Sequence, residues 1–261
     1  MPALRPQPSI PVLLLVKSAY QILWQQRDDA LRLGFIPTLV CFGGLLYGRG
    51  ALTVVLQHWR AGMTSPPPDG VALPVFATLM IVLLAIALAI GNWLRFMLLG
   101  PMGAVGLGLA IGRPHVSFLI STVLLVFGAS IAFAVLSMPA LLLPGVMGHI
   151  GIIVVLIAVT VVTVRLSPFV IGQVIAQPMS LQEAWRASRG NGVPLTTALI
   201  VVQLPIWIAV SLLNQILYLV GFAAVAPLAM LFITSLFEIA ISILQASILA
   251  AAFRQMVGIR A

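Results

Sequence analysis

The sequence predicts an all-α integral membrane protein, a bundle of six transmembrane helices with amphipathic interfacial helices on the cytoplasmic side. Three observations predict this fold class. Hydrophobic residues make up 62% of the 261 residues and charged residues only 7%, whereas soluble domains carry about 25% charged residues. Six stretches are long and apolar enough to cross a bilayer. The basic residues are abundant in every second link between these stretches and scarce in the others.

A spanning helix needs about 20 mostly apolar residues. Stretches of this kind lie at about 32–56, 73–95, 117–139, 146–165, 194–220 and 225–252. The fourth stretch is rich in β-branched residues, but an isolated strand in lipid would leave its backbone groups unpaired, so we predict a helix there too. The chain is thus divided into a cytoplasmic N-terminal segment, 1–31, and a transmembrane domain, 32–261.

The first stretch has the least certain limits, because the apolar run before Arg49 is too short to span. We predict that the helix continues past Arg49, whose guanidinium would reach the outer headgroups. The alternative is a shorter span followed by an interfacial segment that contains Trp59.

The distribution of Lys and Arg predicts the orientation. Eleven of these residues fall on one side of the predicted spans, and only Arg49 and Arg60 fall on the other. Cytoplasmic links carry the excess of basic residues, so both termini are predicted in the cytoplasm of a bacterial inner membrane. Arg95, Arg165 and Arg254 each follow a returning helix, and a three-fold hairpin repeat is one interpretation of that spacing.

The net charge of +8 would suggest a nucleic-acid partner in a soluble protein. We exclude nucleic acid here, because the basic residues mark the ends of apolar segments and do not form one patch.

The N-terminal segment has an amphipathic pattern. Leu13, Val16, Tyr20, Leu23 and Trp24 recur at helical spacing, which predicts a helix lying in the cytoplasmic interface. Just after it, an Asp at 28 and an Arg at 32 have the i,i+4 spacing of a weak ion pair.

A second amphipathic segment follows the fourth span. Ser180 and Glu183 have the spacing of a capping box, which predicts a helix that runs to about Arg189 and stops at Gly190. The residues predicted for interfacial contact or docking are Trp24, Arg113, Trp185, Arg186 and Arg189.

Two segments of the predicted cytoplasmic face carry a family resemblance. They are Gly100-Pro101-Met102-Gly103 through Gly112-Arg113-Pro114-His115-Val116-Ser117-Phe118, and Leu181-Gln182-Glu183-Ala184-Trp185-Arg186-Ala187-Ser188-Arg189-Gly190-Asn191. They resemble the signatures of a group of six-helix bacterial membrane proteins similar to the membrane domain attached to some glycerophosphodiester phosphodiesterases. The resemblance implies a six-helix fold, but the phosphodiesterase activity belongs to a separate soluble domain in that family.

The glycine-rich run at 100–112 is too short to span. It predicts close helix packing, with a re-entrant or lipid-contacting segment as the alternative.

One acidic residue, Glu238, falls near the middle of a predicted span, where an ionised acid costs about 2.5–3.5 kcal/mol. The candidate intramembrane polar site consists of Glu238 with Thr234, Ser242 and Gln245 on the same helical face, and Asn214 and Gln203 from the fifth span. Glu238 either joins helices through hydrogen bonds or forms a proton or cation site in a polar cavity. A kink at Pro205 would open such a cavity or serve packing alone.

No nucleotide-binding, zinc-hydrolase or serine-hydrolase motif is present, and the three histidines and one cysteine do not have the spacing of a metal site. We therefore predict no cofactor, no metal and no enzymatic activity. The leading hypothesis is a polytopic membrane protein that assembles with or organises other membrane components, with the lipid bilayer and other membrane protein subunits as partners. The alternative is a small transporter or lipid-handling protein that uses the polar site around Glu238, and a third hypothesis is an enzyme acting on lipid headgroups.

Overall fold

The computed structural model describes residues 11–61, 68–100, 112–220 and 226–257. Within them the chain forms an all-α bundle in which six helices are long and apolar enough to cross a membrane, so the predicted fold class is confirmed. The long helices are α2 (Arg27–Arg60), α3 (Ala72–Leu99), α4 (Arg113–Leu141), α5 (Val146–Arg165), α8 (Gly192–Leu219) and α9 (Pro227–Met256), and the shorter ones are α1 (Val12–Gln25), α6 (Ser167–Val174) and α7 (Leu181–Ala187).

Each predicted span corresponds to one long helix, and α5 has the predicted limits. Helix α2 is continuous from Arg27 to Arg60, so it runs past Arg49 as predicted. Where the membrane span ends within this helix stays a prediction. Most of the glycine-rich run, 101–111, and the Pro101-Met102-Gly103 part of the first signature lie outside the described residues.

Helix α7 begins with the predicted capping box. The Ser180 backbone N–H donates to Glu183 Oε2 at 2.7 Å, and the Glu183 N–H donates to Ser180 Oγ at 3.2 Å. The helix ends at Ala187, earlier than predicted, because the chain turns there through Gly190 at a positive φ of 81° and begins α8 at Gly192.

One helix, α6, was not expected from the sequence. It follows α5 after a single residue and has Pro168 in its first turn, where the missing N–H costs nothing. Its side chains at Pro168, Val170, Ile171 and Val174 are buried. The short helix therefore lies inside the bundle, against α3, α4 and α9.

Helix α9 is central and contacts α1, α2, α3 and α8. One core cluster joins α2, α3, α6 and α9 around the fully buried Trp93, and a second joins α1, α8 and α9. Glycines bring α2 close to α3, since a Cβ on Gly44 would lie 2.7 Å from Ile81 Cγ2 and a Cβ on Gly48 would overlap the Thr78 hydroxyl.

The predicted N-terminal helix is present as α1, and Val16, Tyr20 and Leu23 of its predicted apolar side pack against the second core cluster. Leu15 and Ala19 are buried against α8 and α9, whereas Leu13 and Trp24 are 79% and 72% exposed. The Tyr20 hydroxyl donates to the carbonyl of Val202 at 2.7 Å. Helix α1 thus packs one side against α8 and α9 and leaves the other side exposed. Its location in the cytoplasmic interface stays a prediction.

The ion pair predicted between Asp28 and Arg32 is replaced by one between Asp29 and Arg32. Arg32 Nη2 lies 2.9 Å from Asp29 Oδ1, one residue closer along the helix, and Asp28 is 96% exposed. The i,i+3 and i,i+4 positions are both neighbours on a helix, so spacing alone does not choose between them.

The two halves of the bundle differ in packing. We call the half that contains Arg95, Arg165 and Arg254 the arginine half, and the other the opposite half. In α8, residues Leu195, Ala198 and Val202 of the arginine half are at most 1% exposed, whereas Trp207 and Leu219 of the opposite half are 61% and 81% exposed.

Candidate functional site

The predicted polar stripe of α9 is only partly buried. Ser242 is buried, Thr234 and Gln245 are half-buried, and Glu238 is exposed. The Thr234 hydroxyl donates to the Met230 carbonyl at 2.9 Å, and the Ser242 hydroxyl donates to the Glu238 carbonyl at 2.7 Å. These two hydroxyls therefore satisfy themselves within their own helix and do not join α9 to a neighbour.

The Glu238 carboxyl makes no hydrogen bond or ion pair within the described residues. It lies about 17 Å along the 30-residue α9, near the middle of the span. The expected hydrogen bond to the second or fifth span is not found among the described residues. The Glu238 side chain is exposed and interacts electrostatically with the buried Cys41 of α2.

Helices α8 and α9 both have exposed residues near the middle of their lengths. Val202 of α8 and Leu244 of α9 belong to one buried core cluster, whereas Ile208 of α8 and Glu238 of α9 are exposed. Ile208 and its neighbour Trp207 are exposed at 58% and 61%. We call these exposed mid-span residues, Glu238 of α9 with Trp207, Ile208 and Ser211 of α8, the α8–α9 surface.

The two α8 candidates, Gln203 and Asn214, are both half-buried, and within the described residues neither side chain has a hydrogen bond to the stripe. Pro205 is exposed, and α8 continues through it from Gly192 to Leu219. The structure thus does not join these residues and Glu238 into one bonded site.

Several hydrogen bonds between helices lie in the arginine half, at positions that the sequence analysis did not single out as a site. Trp93 Nε1 donates to Ser247 Oγ at 2.8 Å, and both side chains are fully buried. Ser117 Oγ donates to Gln173 Oε1 at 2.8 Å and joins α4 to α6. The single signal in the sequence was the polar character of these residues inside apolar runs.

The three arginines that follow returning helices share one role. Arg95 Nη1 donates to the Val174 carbonyl at 2.6 Å, Arg254 Nη2 to the Met97 carbonyl, and Arg165 Nη2 to the Trp185 carbonyl at 3.1 Å. Each carbonyl belongs to the last turn of a neighbouring helix, α6, α3 and α7 respectively. The last four carbonyls of a helix lack hydrogen-bond donors within that helix and carry partial negative charge. An arginine side chain supplies both a hydrogen-bond donor and a compensating positive charge.

The described residues of the two signature segments lie in the same half. Phe118 is buried where a Cβ on Gly91 would lie 3.3 Å from its ring, and His115 is buried near Arg95. Ala184 and Ser188 are buried, and the Ser188 hydroxyl donates to the Trp185 carbonyl at 3.2 Å. Phe118, Ala184 and Ser188 of these motifs thus serve packing.

The predicted docking residues are mostly exposed. Arg113, Arg186 and Arg189 are exposed, and the Arg165 guanidinium carbon lies 3.5 Å from the centre of the Trp185 ring. The Arg27 guanidinium carbon lies 5.2 Å from the centre of the Trp24 ring.

An open groove of about 350 Å³ runs between α2 and α9, and we call it the α2–α9 groove. Glu238 does not line it. Within the described residues no group of three or more His, Cys, Asp and Glu side chains could hold a metal ion.

Tyr20 belongs to the short helix α1 and not to one of the long membrane-spanning helices. Burial raises the pKa of its hydroxyl. The hydroxyl therefore remains neutral, as its hydrogen bond to Val202 requires.

No family model, curated protein or solved structure matches the chain.

Proposed function

We propose that the chain is a non-enzymatic, multi-pass protein of a bacterial inner membrane, with both termini in the cytoplasm, that assembles with other membrane proteins. The proposed contact is the α8–α9 surface. The single observation that carries the proposal is the exposed carboxyl of Glu238 at mid-span, without a hydrogen bond or ion pair in the described part of the chain.

The free-energy cost of an acidic side chain inside the membrane favours a partner protein that contacts the Glu238 carboxyl. Ionisable side chains inside membranes usually face a bundle interior and pair with another polar group. Here the Glu238 side chain is exposed near the middle of a membrane-spanning helix, which would leave the acid in hydrocarbon. A second membrane protein that brings a hydrogen-bond donor or a basic group to this depth would remove the cost, and its helix would cover the exposed side chains.

The orientation is supported by charge. Eleven of the thirteen Lys and Arg residues fall on the side of the two termini, as the positive-inside rule requires for a cytoplasmic location. Reporter domains that are active only outside the cytoplasm, fused to either end, should stay inactive.

The alternative of a transporter that uses Glu238 needs a cavity in front of the carboxyl. The α2–α9 groove is not lined by Glu238, and neither Gln203 nor Asn214 is bonded to it within the described residues. These observations favour assembly over transport.

The test is the size of the complex after extraction in mild detergent and after cross-linking in native membranes. We expect the unaltered protein to travel with a second chain, and Glu238→Leu to run alone because it removes the group that the partner satisfies. Ser130→Leu, which replaces an exposed hydroxyl of α4, is the matched control and should keep the complex. An unaltered protein that runs alone under both conditions, or a Glu238→Leu variant that keeps its partner, contradicts the proposal.

A further inference from the structure

The α2–α9 groove presents hydrocarbon along nearly its whole length. Among the described residues that line it, Arg27 and Thr38 are the polar ones, and the Thr38 hydroxyl donates to the Gly34 carbonyl at 2.8 Å. The other described lining residues are apolar, among them Leu31, Phe35, Leu39, Ala240 and Ile243. An apolar groove on a helix that spans a membrane is filled by an apolar chain.

The shape of the groove follows from α2. At its floor, a Cβ on Gly34 would lie 3.2 Å from Ile243 Cδ1, so the glycine brings the two helices together. Leu31, Phe35 and Leu39 recur every four residues and are 64%, 52% and 42% exposed, so they form one wall that stands open to the outside. From Arg27 to Leu39 the groove extends about 18 Å, close to the roughly 15 Å thickness of one leaflet of hydrocarbon.

One end of the groove carries a cation at the place where a headgroup would lie. Arg27 is the first residue of its spanning helix, and its side chain is 60% exposed. The guanidinium lies over the exposed Trp24 ring and stands 3.9 Å from the fully solvated Asp28 carboxylate, too far for a hydrogen bond. Its donors are therefore open to a phosphate, and a Trp next to a basic residue is typical of the headgroup level.

We propose that the α2–α9 groove is a binding site for one phospholipid with an anionic headgroup. Its acyl chain lies along Leu31, Phe35 and Leu39, and its headgroup phosphate accepts hydrogen bonds from Arg27. This site lies on α2 and does not depend on the proposed assembly through Glu238.

The test is native mass spectrometry of the detergent-solubilised full chain with added phosphatidylglycerol or phosphatidylethanolamine. We expect the unaltered protein to retain phosphatidylglycerol preferentially. Arg27→Gln should weaken phosphatidylglycerol retention about fivefold, the contribution of one basic residue at an anionic membrane surface. The matched control is Arg32→Gln, because Arg32 lies on the same helix end but does not line the groove and should leave retention unchanged.

The proposed binding of the acyl chain in the α2–α9 groove is tested separately. Ala240→Phe fills the groove from α9 and should abolish retention of both lipids, whereas Ala158→Phe, at an exposed position of α5, should not. Ala240→Leu tests the same point with a smaller side chain if the Phe variant does not fold. Equal retention by Arg27→Gln and the unaltered protein, equal retention of the two lipids, or undiminished retention by the Ala240 variants would each overturn the proposal.

Discussion

In α8 and α9 the arginine half of the bundle packs more closely than the opposite half. In the arginine half, Trp93 bonds Ser247 and three arginines bond carbonyls at the ends of neighbouring helices. In the opposite half of α8 and α9, Trp207 and Leu228 are exposed and the Thr234 hydroxyl bonds its own helix. Lipid removes the hydrophobic difference between packed and unpacked helices, so polar bonds and small residues decide where helices close.

The largest expected effect compares two tryptophans, one in each half. Trp93→Ala should lower the free energy of unfolding by about 3–5 kcal/mol, because it leaves a cavity and removes the bond to Ser247. Trp207→Ala at an exposed position should change it by about 0.5 kcal/mol or less. Denaturant titration in detergent measures both values, and similar losses for the two variants would remove the contrast between the halves.

The next largest effect tests whether the arginines stabilise the ends of neighbouring helices. Arg95→Leu leaves the last carbonyl of α6 without its charged donor and should cost about 1.5–3 kcal/mol. Amide hydrogen exchange should rise at residues 167–177, around α6. Arg113→Leu removes an exposed arginine near the same end and is the control, and an equal rise in that variant would argue for a general charge effect.

A third comparison lies within one helix. Gly48→Ala places a Cβ on the Thr78 hydroxyl and should cost about 1–3 kcal/mol by overpacking. Gly43→Ala on the same helix has nothing within 4 Å and should stabilise the helix by about 0.5–1 kcal/mol. Thermal unfolding in detergent distinguishes them, and a tolerated Gly48→Ala would show that α2 and α3 pack less closely than described.

The smallest effect concerns the packing of α1 against α8 and α9. Tyr20→Phe removes the bond to the Val202 carbonyl and should cost about 1 kcal/mol. Burial raises the pKa of Tyr20 above its usual 10.0, so the neutral hydroxyl stabilises the fold fully below pH 10. That contribution is lost as the pH rises through the higher folded-state pKa. Unfolding measured between pH 8 and about 11 should show a decline that Tyr20→Phe lacks, and identical profiles would contradict it.

Local features of this fold were predictable from the sequence. The six spans follow from apolar length, and the capping box at Ser180 follows from a three-residue spacing. Features that depend on a distant partner were not predictable. Arg165 and the Trp185 carbonyl that it bonds are twenty residues apart, and Arg254 and the Met97 carbonyl are 157 apart.

The candidate site shows the same limit. Spacing placed Glu238 correctly on a polar stripe of α9, but a helical period does not say whether that stripe meets a neighbouring helix or the outside. Similarly, α6 was missed because an eight-residue apolar segment after a span has no length signal of its own.

The contrast between the two halves is tested most directly by quenching of tryptophan fluorescence in bilayers whose acyl chains carry bromine. Two variants are compared, one keeping only Trp93 and one keeping only Trp207, with the other tryptophans changed to Phe. We expect strong quenching of Trp207, which is 61% exposed, and little quenching of the fully buried Trp93. Equal quenching of the two would contradict the contrast between the closed surroundings of Trp93 and the open opposite half of α8.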